Sequence, residues 1–344
     1  MALSNGVIDQ KVTDSFAIYN GDSCLVMRDI PDNSVHMCHY SPPFESLYKF
    51  SNSLHDVSNA TGDTFWEHYG VIIDECLRIT KLGRICAVHV MQLPTGKGRD
   101  GFIGMRDFRG EVIREHQRRG WHFVSEICIW KDPVVAQQRT KSIRLLHKQL
   151  TKDSTLSGQG LADYIVVFRK PGENDTPVDG MFDQWCGSDP REGVDGSHDA
   201  RTPYGIDISR DAYERHCANM APGQTAWPFD MWVSVRVWQR VASPVWMDIN
   251  QTRTLQYRAA RDPNDLLHIS PLQLDVIERC IDLWTNPGEV VFTPFLGIGS
   301  EVWAAVNMGR KGLGIELKPS YFKQAIKNLE TAGKADEALF TENV

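Results

Sequence analysis

The run Thr293-Pro294-Phe295-Leu296-Gly297-Ile298-Gly299-Ser300 constrains this chain more than any other stretch, because it ends one kind of structure and begins another. Before it, Glu289-Val290-Val291-Phe292 is short, apolar and β-branched, the pattern of a buried strand. After it, residues 300–309 carry a helical pattern, so the run is a strand-to-helix turn. Glycine at 297 and 299 lets the backbone bend sharply and approach a ligand closely. The N–H groups of the helix start attract a negative group such as a carboxylate. Glu316 closes the next strand, residues 312–316, where an acid is placed to hydrogen-bond ribose hydroxyls. The set suits a nucleoside-containing cofactor, although a G-x-G turn also occurs without any ligand. The dinucleotide fingerprint G-x-G-x-x-G is incomplete, since position 302 is Val, and this disfavours a nicotinamide cofactor.

The same alternation recurs elsewhere. Phe16-Ala17-Ile18-Tyr19 reads as a strand ending in the turn Asn20-Gly21-Asp22, and residues 35–40 as a second strand. Phe65, Tyr69, Ile72, Ile73, Cys76 and Leu77 fall at helical spacing, 84–90 is a strand, and 112–119 a helix. Strands at 123–130 and 164–168 follow. Later come an amphipathic helix at 271–283, the turn Asn286-Pro287-Gly288 and a last helix at 319–331. This order predicts an α/β fold with a mainly parallel sheet covered by helices. A length of 344 residues suggests two or three structural units.

The second constraining feature is Ser41-Pro42-Pro43-Phe44, directly after the strand at 35–40. Two prolines fix φ and remove two N–H donors, so neighbouring carbonyls project rigidly. Ligands in such folds sit at the carboxyl ends of strands. There a serine hydroxyl and a proline carbonyl can both accept hydrogen bonds from one amino group, and Phe44 can stack on an aromatic ring. The plain alternative is a stiff loop with a buried Phe.

Taken together, Ser-Pro-Pro-Phe at 41–44 and Thr-Pro-Phe-x-Gly-x-Gly-Ser at 293–300 resemble the amino-methylating DNA methyltransferases, which act on cytosine N4 or adenine N6. The catalytic motif precedes the cofactor motif, which resembles the permuted β group of that family. Tyr19-Asn20-Gly21-Asp22, Trp130-Lys131-Asp132-Pro133, the run 163–170 and His268-Ile269-Ser270-Pro271-Leu272 fit the same pattern. The resemblance covers about residues 16–170 and 264–332. It implies a Rossmann-like, doubly wound methyltransferase fold, S-adenosyl-L-methionine as cofactor and double-stranded DNA as partner.

Carried onto this chain, the resemblance makes Ser41, Pro42, Pro43 and Phe44 catalytic. Ser41 Oγ and the Pro42 carbonyl would draw the two hydrogens of an exocyclic amine, with the base flipped out of the duplex against Phe44. Asp22 would bind the adenine amino group of the cofactor and Glu316 its ribose. Tyr40, Thr293, Pro294, Phe295, Gly297, Gly299 and Ser300 would line the cofactor loop, and His268 and Ser270 would meet the methionine part. Thr293 departs from the usual Asp, so attraction to the sulfonium end is lost and affinity is expected to fall. Carbon-5 methylation of cytosine uses a Pro-Cys nucleophile, and no Pro-Cys occurs. Ser-Pro-Pro-Phe favours cytosine N4, with adenine N6 as the alternative. Transfer to RNA or a protein amide, and a catalytically weak DNA-binding protein that kept the fold, are the competing readings.

The domain division expected is 1–170 with 263–344 as the catalytic unit, and 171–262 as an inserted target-recognition unit. In that insert Gly, Pro and Asp cluster, short irregular elements are expected, and Trp185, Trp227, Trp232, Trp238 and Trp246 are read as its core. Net charge is −7, which taken whole argues against nucleic acid. Residues 92–153, however, hold 13 basic against seven acidic side chains, a local +6. Arg139, Lys141, Arg144 and Lys148 are expected phosphate contacts. Arg236, Arg240, Arg253, Arg258 and Arg261 are expected at guanine edges or phosphates. Residues 101–110, with three glycines, are read as a flap. The eight cysteines lack any C-x-x-C pair, so no zinc or other metal site is expected. No apolar run is long enough for a membrane span, and no signal peptide is apparent. The expectation is therefore a cytoplasmic protein, bacterial or phage-encoded. A homodimer and a separate restriction nuclease are open as further partners.

Overall fold

The computed structural model describes residues 5–43, 63–134, 145–183, 207–256 and 271–333. Nine strands form one sheet: β1 (Val7–Val12), β2 (Phe16–Gly21), β3 (Val35–Tyr40), β4 (Thr80–Met91), β5 (His122–Ile129), β6 (Asp163–Arg169), β7 (Val245–Trp246), β8 (Val290–Thr293) and β9 (Lys311–Glu316). Their spatial order is β1-β2-β9-β8-β3-β4-β6-β5-β7. The five strands from β2 to β4 run parallel, β1 is antiparallel to β2, and β6 is antiparallel to both β4 and β5. The sheet is thus mixed but mostly parallel, as the alternation predicted.

Helices cover both faces: α1 (Ser23–Val26), α2 (Asp63–Ile79), α3 (Phe108–Arg118), α4 (Arg210–Ala218), α5 (Phe229–Val241), α6 (Leu274–Trp284), α7 (Ser300–Asn307) and α8 (Pro319–Leu329). Alternation along the strands decides which residues meet which helices. Cys38 and Tyr40 of β3, Cys86, Val88 and Val90 of β4 and Phe292 of β8 join Phe65, Tyr69 and Ile72 of α2 and Phe108 of α3 in one core. On the opposite face Met37, Ala87, Ile165 and Val167 pack against Val276 and Cys280 of α6. Further along that face, Phe16, Ile18 and Val291 meet Ile277 of α6, Val302 of α7 and Phe322 of α8. The result is a doubly wound α/β unit.

Strand order reverses between β8 and β3. From β8 the chain crosses through α7 to β9 on one side; from β3 it crosses through α2 to β4 on the other. A crevice opens at the carboxyl ends of the strands where such a reversal occurs.

The insert differs from expectation. Two regular helices, α4 and α5, stand where short irregular elements were predicted, and Phe182, Trp232, Val233, Val237 and Val241 form a small core there. The chain re-enters the main sheet at β7, before the expected boundary at 262, and Trp246 belongs to the sheet's core. Of the five tryptophans, Trp232 and Trp246 are buried, Trp227 and Trp238 are more than half exposed, and Trp185 lies outside the described residues. Residues 101–110 are partly ordered by pairing of Met105–Arg106 with Leu93–Pro94, and they expose Phe102 and Ile103. Among the described residues, no helix is long and apolar enough to cross a membrane and no group of three metal-ligating side chains occurs.

Candidate active site

The two motifs leave the sheet side by side. β3 and β8 are hydrogen-bonded neighbours in parallel register, Met37 with Val291 and Cys38 with Phe292. Ser41-Pro42-Pro43 and the turn beginning at Thr293 therefore emerge at the same edge, on either side of the reversal. Ser41 and Pro43 are half-buried and Pro42 is buried. Phe44 lies outside the described residues, as do His268 and Ser270.

The glycine-rich turn is held from below. Gly297 and Gly299 have φ of +56° and +96°, a region L side chains avoid. A Cβ at 299 would touch Ala325 Cβ at 3.4 Å, ordinary van der Waals contact, whereas one at 297 would meet nothing within 4 Å. The Gly297 N–H donates to Glu316 Oε2 at 2.7 Å, and the Lys318 N–H donates to Glu316 Oε1 at 2.8 Å. Glu316 thus latches the turn to the end of β9. α7 opens at Ser300 with Gly299 as its N-cap and no side-chain cap, so the turn faces the helix's positive end. Glu301, in that first turn, is buried, and burial with the nearby Glu316 charge raises its carboxyl to about 8.

Neighbouring elements brace the turn. Ser23 Oγ of α1 donates to the Pro294 carbonyl at 2.6 Å, a contact the sequence reading missed. Thr293 is fully buried, and its hydroxyl accepts from the Phe295 N–H at 3.4 Å. Asp22 caps α1, accepting from the Cys24 N–H at 2.9 Å, at the carboxyl end of β2 beside the end of β9. Tyr40 points into the core: its ring meets Phe295 edge-on at 5.7 Å, and its hydroxyl lies 3.3 Å from His116 Nε2. The His116 Nδ1 proton goes to the Val112 carbonyl at 2.8 Å, so Nε2 is the acceptor for Tyr40, and burial lowers the imidazole to about 3. Tyr40 therefore supports the glycine-rich turn from beneath.

A second polar group lies under the Ser-Pro-Pro turn. On the α6 face of the sheet, His39 and His89 are both buried. His89 Nε2 is 3.1 Å from Asp163 Oδ2, and Lys131 Nζ is 2.5 Å from the same oxygen. The Lys131 charge and the His89 hydrogen bond hold the Asp163 carboxyl below its ordinary value despite burial. Polar side chains inside the apolar strands 35–40 and 84–91 were the available signal for His39 and His89, which the sequence reading passed over, whereas the runs 130–133 and 163–170 that it singled out hold Lys131 and Asp163.

The expected DNA contacts divide three ways. Arg139, Lys141, Arg144, Arg258 and Arg261 lie outside the described residues. Lys148 is exposed on a short helix, His147–Lys152. Arg236 is half-buried, its guanidinium 5.0 Å from the Trp232 ring. Arg240 is a correction: it is buried and paired with Asp248, which also binds Arg279 at 2.9 Å. A guanidinium removed from water and neutralised internally does not reach a base edge. Arg253 is likewise held by Asp275 at 2.9 Å and Glu278 at 2.5 Å.

Adjacent strands thus define a crevice with the two motifs at its mouth. The N6/N4 DNA methylase family profile matches residues 35–327, and the chain belongs to that family. The type II methyltransferase M.BamHI of Bacillus amyloliquefaciens is 22% identical over 322 residues, 92% of this chain and 58% of that protein. The DNA adenine methyltransferase YhdJ of Escherichia coli K12 is 32% identical over 94 residues, 27% of this chain and 30% of YhdJ. The chain spans less than two thirds of the length of the curated relatives it matches. Two solved structures share the fold. TTHA0409 of Thermus thermophilus, complexed with S-adenosyl-L-methionine, superposes with TM-score 0.56 at 19% identity over 94% of this chain and 96% of its own. The cytosine-N4-specific PvuII DNA methyltransferase gives TM-score 0.56 at 14% identity over 94% and 89%.

Proposed function

We propose that this chain transfers a methyl group from S-adenosyl-L-methionine to an exocyclic amine of a base flipped out of double-stranded DNA. The observation that carries the reading is the adjacency of β3 and β8, which sets the Ser41-Pro42 acceptor pair beside the glycine-rich turn at one edge of the sheet. The residues present fit the cofactor: the space beside Gly297 is open, the Glu316 carboxylate is held against that turn, and α7 directs N–H groups at it. Glu316 would take the ribose, Asp22 the adenine amino group, and Gly297 and Gly299 the close backbone approach. Thr293 carries a hydroxyl where the family has a carboxylate, so binding leans on Glu316 and the backbone.

When bound, the cofactor supplies an electrophilic sulfonium methyl. The chain's own work is positional and electrostatic. An exocyclic amine is a weak nucleophile because its lone pair is delocalised into the ring. Ser41 Oγ and the Pro42 carbonyl accept its two hydrogens and favour a pyramidal nitrogen whose lone pair points toward the methyl. Extruding the base costs a few kcal/mol, which stacking on Phe44 partly offsets.

Sequence relatives shift the choice of base. Ser-Pro-Pro-Phe favoured cytosine N4, and the fold relative from the PvuII system acts on that position. The sequence relative whose name states a base, YhdJ, acts on adenine. Sequence similarity carries more than shared fold at these identities, so adenine N6 becomes the better supported target. The segment between β6 and β7 is the proposed target-reading unit, with Arg236 there and Lys148 on the short helix before β6 as cations for DNA. The test is transfer of labelled methyl from S-adenosyl-L-methionine to duplex DNA. Label in DNA, abolished by Ser41→Ala, supports the reading. Labelling of RNA or protein alone, or of nothing at saturating cofactor, removes it.

A further inference from the structure

Methylating an amine releases a proton, and the motif residues include no group of ordinary basicity to receive it. The strand register brings one, His89, to the end of β4 that runs beside the start of the Ser41 turn. The last paired positions of the parallel β3–β4 ladder are His39 with Ala87 and Tyr40 with Val88. Continued one step past its last pair, that register sets Ser41 opposite His89. Alternation puts Met37, His39 and Ser41 on the α6 face, the face that carries Ala87 and His89.

The hydrogen bonds there assign both tautomers. His39 Nδ1 is 3.0 Å from the Ala87 carbonyl, so it carries the proton, and His39 Nε2 is a bare acceptor with no partner. Its burial lowers that imidazole to about 3, so it stays neutral. His89 Nε2 donates to Asp163, which leaves His89 Nδ1 as a bare acceptor, buried and also without a partner. Two buried nitrogen lone pairs without donors are costly unless something fills them in use. Ser41 carries the hydroxyl that the register brings to this pair.

We infer that His89, held by Asp163, is the positioning residue that accepts the reaction's proton through Ser41. The inference rests on the methyltransferase reading above. With the amine bound, the Ser41 hydroxyl turns to donate to His89 Nδ1, the acceptor left without a partner, and its lone pairs then face the target amine. As the amine nitrogen bonds to the methyl, the C–S electron pair stays on the donor's sulfur. One N–H proton passes to Ser41 Oγ while the Ser41 hydroxyl proton passes to His89 Nδ1. The imidazolium so formed faces the Asp163 carboxylate, which Lys131 keeps ionised. The proton has moved and Ser41 is regenerated without an external base.

Two measurements test this. In the wild-type protein labelled with ¹⁵N-histidine, with His89 assigned by its loss in His89→Gln, the arrangement predicts an unprotonated Nδ1 and a protonated Nε2. Second, His89→Gln is expected to slow single-turnover methyl transfer about 100-fold, within the range for removing a positioned proton acceptor. Its affinities for duplex DNA and for S-adenosylhomocysteine are expected to stay within about threefold of wild type. Asp163→Asn is expected to slow transfer in the same way. A protonated Nδ1 in the wild type, or His89→Gln transferring at the wild-type rate, overturns the relay. So does a loss of rate that only tracks loss of DNA or cofactor binding. If His89→Gln fails to fold, the wild-type tautomer and Asp163→Asn decide the matter. A wild type that methylates no DNA instead removes the activity reading on which the relay stands.

Discussion

Gly297→Ala separates what the cofactor turn needs for folding from what it needs for binding. At φ +56° the backbone sits in the left-handed region, which costs an L-residue about 1–2 kcal/mol. Alanine also narrows the unfolded ensemble, returning about 0.4–1 kcal/mol. The added Cβ meets no atom within 4 Å, so no packing penalty is added. The net loss is about 1 kcal/mol, a fall in Tm of about 1–2 °C for a chain of this length. The open space that makes the change mild is the space proposed for the cofactor. A methyl group pressed into a fitted ligand costs about 1–3 kcal/mol, which raises Kd about 5- to 150-fold. At a concentration of 100 times the wild-type Kd, cofactor stabilises the wild type by about 2.7 kcal/mol. After a rise in Kd of about 30-fold, the same concentration gives the variant under about 1 kcal/mol. Calorimetric titration gives Kd, and thermal melts with and without S-adenosyl-L-methionine give the stabilisation. Gly299→Ala is the contrast, since its φ of +96° predicts a larger loss of stability in the unliganded protein. A folded Gly297→Ala protein with wild-type cofactor affinity would refute the placement of the ligand at this turn.

The buried charges make two further predictions. Glu301 is raised from an ordinary 4.5 to about 8, so the folded chain holds a proton that the unfolded chain releases between those values. Its contribution is favourable below about pH 4.5 and is lost as pH rises through 8; Glu301→Gln is therefore expected to gain in Tm relative to wild type between pH 5 and pH 8, and a constant difference would contradict this. Asp248 sits between Arg240 and Arg279 and is lowered to about 2 by their charges. Its stabilisation is present above the ordinary 3.8 and is lost as pH falls toward 2. Asp248→Ala removes the carboxylate that two buried guanidinium groups share and is expected to cost about 3–5 kcal/mol in a urea melt. A loss under about 1 kcal/mol would show the pair to be solvated.

Much of the fold was legible because strand and helix periods are local. The sequence placed β3 at residues 35–40, and α2, β8 and β9 to within a few residues, since each is a short apolar run or a clear helical stripe. β1 was missed: its burial pattern is almost wholly exposed, as expected for an edge strand that presents little apolar signal. β7 has two residues, too few for any period, and is held by pairing with β5. The antiparallel direction of β6 depends on the path from β5, not on the composition of 163–169.

The site was legible in its motifs and not in its supports. Turn residues such as Gly297 and Pro42 declare their backbone geometry through their own chemistry. Ser23, His39, His89 and Asp163 act only through neighbours brought close by sheet pairing, 271 residues away in the case of Ser23 and Pro294. Arg240 shows the converse. A cation in a segment without clear periodicity reads as a surface contact until α5 and the turn after it set Asp248 against its guanidinium.

The central claim is that the paired turns methylate an exocyclic amine in DNA, and nucleoside mass spectrometry of DNA from cells expressing the protein tests it most directly. The account predicts an N-methylated base, N6-methyladenine or N4-methylcytosine, in DNA from cells making the wild-type chain and its absence with Ser41→Ala. DNA carrying neither base while the folded wild-type protein is present, or the same modification from wild type and Ser41→Ala alike, would contradict it.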